Sequence, residues 1–490
     1  MKKIMELSKK ILILIYGRAF SFVLSLVIPL ILTRLLIKDD YGAYQQLVMI
    51  YATIQAILLF GMPQSLLYYF PRKEVSERPN LIKQTWMILA ISGLFVIFLF
   101  WGISQAMDFF YPNHDLQPFI FLLGIYTGIM LSVTPLQNLL VVEDKEMMAM
   151  QSMIGFTVID VIILPISAWY NPTTLGMIHG IIITAIIKVV IVLFYIYNNY
   201  LRKIEVQESY YRELLTYGMP VGLISMIYVI NVNIDKYMVG LFFSSSVFAA
   251  YYLGSLFAPI FGWITRSASQ VITPRMSKAH KDNNLLEIRG LYRDSIEKLA
   301  FIFFPMTLLL ALIAEPLILT LFTKNYEDTI PIFLIYLFLL PTYALNLTWI
   351  LMATGQTKFL LRLATSMSLL NIILSYGFLT GLEGDNRLLG IPFATVVVTW
   401  ISTIIVMNRS LAIIESSFLE TYPLKKMCTI AVISLIAILP VILLSTLELS
   451  SIVALISSVI LFGIMFLTLS YKLKLIGDDE IKLVKSFLPF

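Results

Sequence analysis

The chain has 490 residues, of which 59% are hydrophobic and 13% charged, and its mean hydropathy is +0.87. No soluble domain has that composition, so the chain is read as an all-α polytopic membrane protein. A net charge of +5, one cysteine (Cys428) and three scattered histidines (His114, His179, His280) call for no nucleic-acid partner, no internal disulfide framework, no metal site and no cofactor.

Taken in chain order, apolar runs of about twenty residues predict fourteen spans: 11–32, 44–70, 84–106, 118–141, 151–169, 175–197, 214–241, 247–273, 299–322, 330–353, 359–381, 388–408, 428–446 and 450–471. The first run is too long for a secretory signal and has no small-residue cleavage site, so it is expected to remain as span one. With a cytoplasmic N-terminus, 25 of the 35 Lys and Arg fall in cytoplasmic segments and 4 in outer loops, the other six lying in or at the ends of spans. This positive-inside bias predicts that both termini are cytoplasmic, with the basic loops against anionic lipid. The longest outer loop is near Met107–Gln117, and no soluble domain is inserted. Spans thirteen and fourteen carry no charge and are joined near Leu447–Ser450. They read as a helical hairpin that faces a lipid tail or simply anchors in lipid.

Three local echoes recur in order at an offset near two hundred residues. Tyr16-Gly17-Arg18 is echoed by Tyr217-Gly218-Met219, Asp40-Tyr41-Gly42-Ala43-Tyr44 by Val247-Phe248-Ala249-Ala250-Tyr251, and Pro71-Arg72-Lys73 by Pro274-Arg275-Met276. A duplication of six spans explains them, and transporters are often built that way. The expected organisation is an N-terminal six-helix lobe (1–200), a second (201–410), and a two-helix hairpin with a cytoplasmic tail (411–490).

Charges inside spans are the most informative residues, because a charged group at the bilayer centre costs roughly 2.5–3.5 kcal/mol even on the lenient insertion scale. Arg18 and Arg266 each fall on the order of 10 Å from the cytoplasmic face at about 1.5 Å per helical residue. Snorkelling to the interface is the alternative to a wet cavity or an anionic ligand. Asp160 on span five and Lys188 on span six lie at similar depth, as a mutual ion pair or as a proton- or sodium-coupling carboxylate with its neighbour. Asp235 and Lys236, near the outer end of span seven with Asn231 and Asn233 just inward, are candidates for an outer gate, with a mutual pair or headgroup contact as the alternatives. Glu315 lies in the outer half of span nine, whereas Lys298 and Arg362 are at cytoplasmic ends.

Fourteen spans in two six-span lobes, Asp40-Tyr41-Gly42-Ala43-Tyr44 after span one, Asn233-Ile234-Asp235-Lys236-Tyr237-Met238-Val239-Gly240 in span seven and Pro274-Arg275-Met276 after span eight resemble the polysaccharide transporter branch of the multidrug/oligosaccharidyl-lipid/polysaccharide exporter superfamily. The resemblance covers essentially the whole chain. It implies a V-shaped two-lobed fold in a bacterial cytoplasmic membrane, and a flippase that moves undecaprenyl-pyrophosphate-linked oligosaccharide, such as an O-antigen or capsule repeat unit, to the outer leaflet. It further implies that spans one, two, seven and eight line a cavity in which Arg18 and Arg266 meet the pyrophosphate, and that the last two spans hold the lipid tail. Membrane lipid and the lipid-linked saccharide are the partners implied; a polymerase partner and the oligomeric state stay open.

Arginine suits that ligand, since its planar fork of donors stays charged and matches a diphosphate. Gln45, Gln46, Gln55, Gln64, Tyr228 and Asn231 are candidates to hold saccharide. The rival readings are a transporter of the same fold for lipid II, a teichoic precursor or a drug, and an enzyme such as a membrane glycosyltransferase or polymerase. Buried arginines oppose a cationic drug, and the enzyme reading has only Asp39-Asp40 and lacks the large outer loop such enzymes use. No phosphate-loop motif for ATP is present.

Overall fold

The computed structural model describes residues 2–110, 116–203, 208–384, 386–445 and 451–475. The centre of the longest outer loop, with His114, and the hairpin connection at Leu447–Ser450 lie outside the described residues. Among the described residues there is helix and turn but no strand, as expected where every backbone N–H and C=O in lipid must be satisfied within its own segment.

Each predicted span has a helical counterpart. Among the described residues eleven are helices long and apolar enough to cross a membrane, and span two is a twelfth, made of Lys38–Leu58 and Met62–Arg72 bent by 41°. Spans eight and ten are broken into shorter helices, Ser245–Ser255 with Ala258–Lys281, and Thr329–Leu337 followed by Leu340–Leu345 and Trp349–Ala353. Proline explains most breaks, because it lacks an N–H and its ring crowds the carbonyl four residues back. Pro29 follows the break at Leu26, Pro63 the bend in span two, Pro135 the break in span four, and Pro259 stands in the first turn of Ala258–Lys281. In span two Phe60 and Gly61 take positive φ of 45° and 65°, reversing the chain for one step before the helix resumes.

The helices form two compact units, Met1–Asn233 with Phe242–Ala249, and Ile234–Leu241 with Ala250–Phe490. In the first unit, the helix Tyr211–Val232 of span seven packs along span two. A Cβ on Gly61 would stand 2.2 Å from the Gly218 carbonyl oxygen, and one on Gly218 2.3 Å from that of Phe60. Only glycine lets these backbones approach so closely, which is how helices associate in lipid, where burying apolar surface gives little drive of its own. Ser65 Oγ donates to Leu214 O at 3.2 Å and Tyr69 Oη to Glu213 O at 3.3 Å along the same seam. The chain entering span seven is tied to span three, where Asn80 and Gln84 both donate to Glu208 O and Tyr210 donates to Glu77. The Tyr210 hydroxyl holds the Glu77 carboxyl below its ordinary value.

In the second unit, the hairpin helices Leu424–Ser445 and Ser451–Lys472 pack on each other and on span nine. Ile430, Ile433, Ala437, Val441, Phe462 and Phe466 form their buried seam, with the Phe301 ring tilted against Phe466 at 5.1 Å between centroids. The long helix Leu285–Leu312 holds the connection after span twelve. Arg289 donates to Ile414 O and Glu415 O, Tyr292 meets Tyr422 at 3.0 Å, and a capping box at Ser417 and Glu420 opens the next turn.

Candidate functional site

The repeated Tyr41-Gly42-Ala43-Tyr44 and Phe248-Ala249-Ala250-Tyr251 segments are buried in the packing near the start of spans two and eight. Their small and aromatic residues fill core space. Asp40 accepts from the backbone N–H of Thr174 at 2.7 Å and from its hydroxyl at 2.6 Å, meeting the first N–H of the helix Thr174–Asn199 of span six, whose N-cap is Thr173. That bond gives Asp40, half of the acidic pair on which the enzyme reading leaned, a structural task.

Asp160 and Lys188 come together in the first unit. Lys188 Nζ lies 2.6 and 2.7 Å from the two carboxylate oxygens of Asp160, and Lys188 is only 4% exposed. Spans five and six are antiparallel neighbours joined by a tight turn, so two opposite charges at one depth face each other and offset much of the burial cost. A polar cluster stands within electrostatic reach of Asp160: Tyr51 and Tyr126 pack with ring centroids 4.6 Å apart. Gln55 donates to Tyr51 Oη at 2.6 Å and to Thr134 Oγ1 at 2.9 Å, at the break in span four. Gln45 and Gln46 are buried.

Asp235 is buried in the second unit at 6% exposure. Its carboxylate accepts from the hydroxyls of Tyr336 and Tyr251, themselves 2.8 Å apart, and from the backbone N–H of Lys236. Successive helical residues point about 100° apart, so the Lys236 side chain, half-buried, leaves the carboxylate to the phenols. Asn233 occupies the break in span seven and donates to Val229 O at 2.9 Å, with Asn231 half-buried two residues earlier. Between spans eleven and twelve, Asn371 donates to Thr395 Oγ1 and accepts from Ser375.

Arg18 and Arg266 are both exposed, Arg18 on span one in the first unit and Arg266 on the helix Ala258–Lys281 of span eight in the second. Beside Arg18, Gly17 packs against Met150 of span five. Among the described residues Arg18 has no acidic partner. Glu315 and Arg362 are also exposed, and Tyr228 is 52% exposed.

One arrangement escaped the sequence reading. At the end of span two Tyr68 lies parallel to Tyr217, with centroids 4.4 Å and planes 18° apart, while the Arg72 guanidinium carbon sits 3.6 Å from the Tyr68 ring centre. The spacing of Tyr68 and Arg72, one helical turn, was visible; the partner on span seven was not.

Long apolar helices and a buried ion pair define a polytopic membrane protein. Its fold resembles that of solved transporters of the MOP superfamily. Over 94% of this chain and 98% of the other, it superposes on the inward closed conformation of the lipid II flippase MurJ, with a TM-score of 0.74 and 17% identity. An inward-facing multidrug resistance MATE family transporter of that superfamily gives 0.66 at 13% identity over 81% and 94% of the two chains. A MOP superfamily transporter from Pyrococcus furiosus, titled for the reverse polarity of its binding pocket, gives 0.56 at 14% identity over 82% and 94%. No curated protein matches the sequence. A family model described as polysaccharide biosynthesis protein matches residues 31–331, more than half of the chain, so the chain belongs to that family.

Proposed function

We propose that this protein is a flippase that carries undecaprenyl-pyrophosphate-linked oligosaccharide, an O-antigen, capsule or other surface repeat unit, from the inner to the outer leaflet of a bacterial cytoplasmic membrane. Both termini are cytoplasmic in this reading, it catalyses no covalent chemistry, and two six-span lobes alternate access to the substrate. Arg18 carries the proposal: a permanently charged side chain inside a span, exposed and with no acidic partner among the described residues, is stabilised by an anion that enters with the substrate. Arg266 supplies the second cation for the pyrophosphate. Membership of a polysaccharide biosynthesis family and the fold of known flippases support the substrate class.

The test uses proteoliposomes loaded with lipid-linked oligosaccharide and measures glycan reaching the far leaflet. Arg18→Ala and Arg266→Ala should each lower the rate about tenfold or more, as expected when a charge-assisted bidentate contact is lost. Lysine at either position should restore part of it, and wild-type rates in both alanine variants would refute the clamp. A second reading, lipid II as cargo, is favoured by the close superposition on a lipid II flippase. Presenting lipid II and the oligosaccharide in competition separates the two.

A further inference from the structure

We infer that Arg72, at the end of span two, is a second anion site, built to take the phosphate of a lipid headgroup at the membrane face. The inference rests on the flippase reading for its substrate and on the local geometry for its chemistry.

Tyr68 has Tyr217 stacked at 4.4 Å and the Arg72 guanidinium at 3.6 Å. Two groups so near one ring centre cannot share a face, so the three form a layered stack of Arg72, Tyr68 and Tyr217. Arg72 Nη1 also donates to Tyr68 O. A guanidinium fixed by its face and one N–H keeps its other in-plane donors free, and stacking removes the side-chain entropy that binding an anion would otherwise cost. Arg72 is exposed, so those donors are accessible.

The other cations nearby are already engaged. Lys73 pairs with Glu213 at 3.3 Å and Glu77 at 4.0 Å and lies over Tyr210. Arg78 donates to Lys73 O at 3.2 Å and lies over Phe70. Arg72 forms no ion pair among the described residues. The Pro-Arg pair recurs at Pro274-Arg275, where Arg275 is exposed too, but the residue one turn earlier is Val271, which has no ring to stack. The molecule thus contains its own control. Arg72 is oriented toward phosphate oxygens, and Arg275 is a solvated cation. Tyr68 is a positioning residue that acts through Arg72.

The experiment titrates the full-length protein with two probes: farnesyl diphosphate in detergent, and phosphatidylglycerol in nanodiscs otherwise made of a zwitterionic lipid. Arg72→Ala should weaken binding of at least one probe about tenfold. A loss confined to farnesyl diphosphate assigns the site to the diphosphate of the cargo, and a loss shared by both assigns it to lipid phosphate in general. Arg72→Lys should bind nearly as poorly, because the fork is gone. Tyr68→Phe should match wild type and Tyr68→Leu should not, and Arg275→Ala should stay within about twofold. Should Arg72→Ala fold poorly, Arg72→Gln keeps a planar group on the ring without the charge.

Unchanged binding of both probes in Arg72→Ala or Arg72→Gln overturns the inference, as does equal behaviour of Tyr68→Phe and Tyr68→Leu. Neither result touches the larger proposal, which falls only if the Arg18 and Arg266 variants translocate normally.

Discussion

The two units solve one problem differently. Each encloses a carboxylate, Asp160 in the first and Asp235 in the second. Asp160 is held by a full positive charge, with Lys188 against both of its oxygens. Asp235 is held by two phenols and a backbone N–H, and no cation touches it among the described residues. An ion pair cancels charge, so what remains to be solvated is small; dipoles only screen a charge that is still there. The first arrangement therefore fails when its partner is removed. The second fails by degrees.

Lys188→Ala tests this most severely. It strands Asp160 at 29% side-chain exposure and should destabilise the protein by about 3 kcal/mol, near the lower end expected for a broken buried pair because water reaches part of the carboxylate. Replacing both residues with apolar ones, Lys188→Met with Asp160→Leu, should recover most of the loss in thermal unfolding in detergent. A single variant as stable as wild type would show that Asp160 is solvated well enough to need no partner.

Tyr336→Phe should cost less, about 1–3 kcal/mol, because Tyr251 and the backbone N–H stay on Asp235. Combining it with Asp235→Asn should give less than the sum of the two single effects, since they share one interaction. Strict additivity would mean that the phenol and the carboxylate are independent.

The smallest effect concerns exposed carboxylates that face water. Glu420 is held below its ordinary value of 4.5, chiefly by the backbone N–H of Ser417 and then by the Ser417 hydroxyl. A depressed carboxyl contributes stability above its unfolded value and loses it as pH falls through the folded one. Unfolding temperature should therefore be flat above about pH 4.5 on this account, and the fall below it should be slightly shallower in Glu420→Gln. An identical fall in that variant would show that the capping box adds nothing measurable.

How much of this the sequence revealed follows from separation along the chain. Fourteen apolar runs gave the helices, because lipid imposes length and polarity directly on each segment. Asp160 and Lys188 could be paired in advance, being on consecutive antiparallel spans where depth alone fixes who meets whom. Tyr336 could not be foreseen as a partner of Asp235, 101 residues away, since no local periodicity records which helices become neighbours. Pro29, Pro63 and Pro135 mark breaks in spans one, two and four that hydropathy averages over, and spans eight and ten likewise read as single rods when they are several pieces. The same blindness hid the Tyr217 partner of Tyr68.

The glycine seam between spans two and seven bears on how such a chain could be divided. Span seven begins the second copy of the proposed repeat, yet its first helix fits the groove at Gly61 in the first unit. A half-length chain ending near residue 200 would present that groove empty, its bent backbone open to lipid. Expressing the halves as separate polypeptides should therefore succeed only when both are made together, with the later fragment supplying the missing helix in trans.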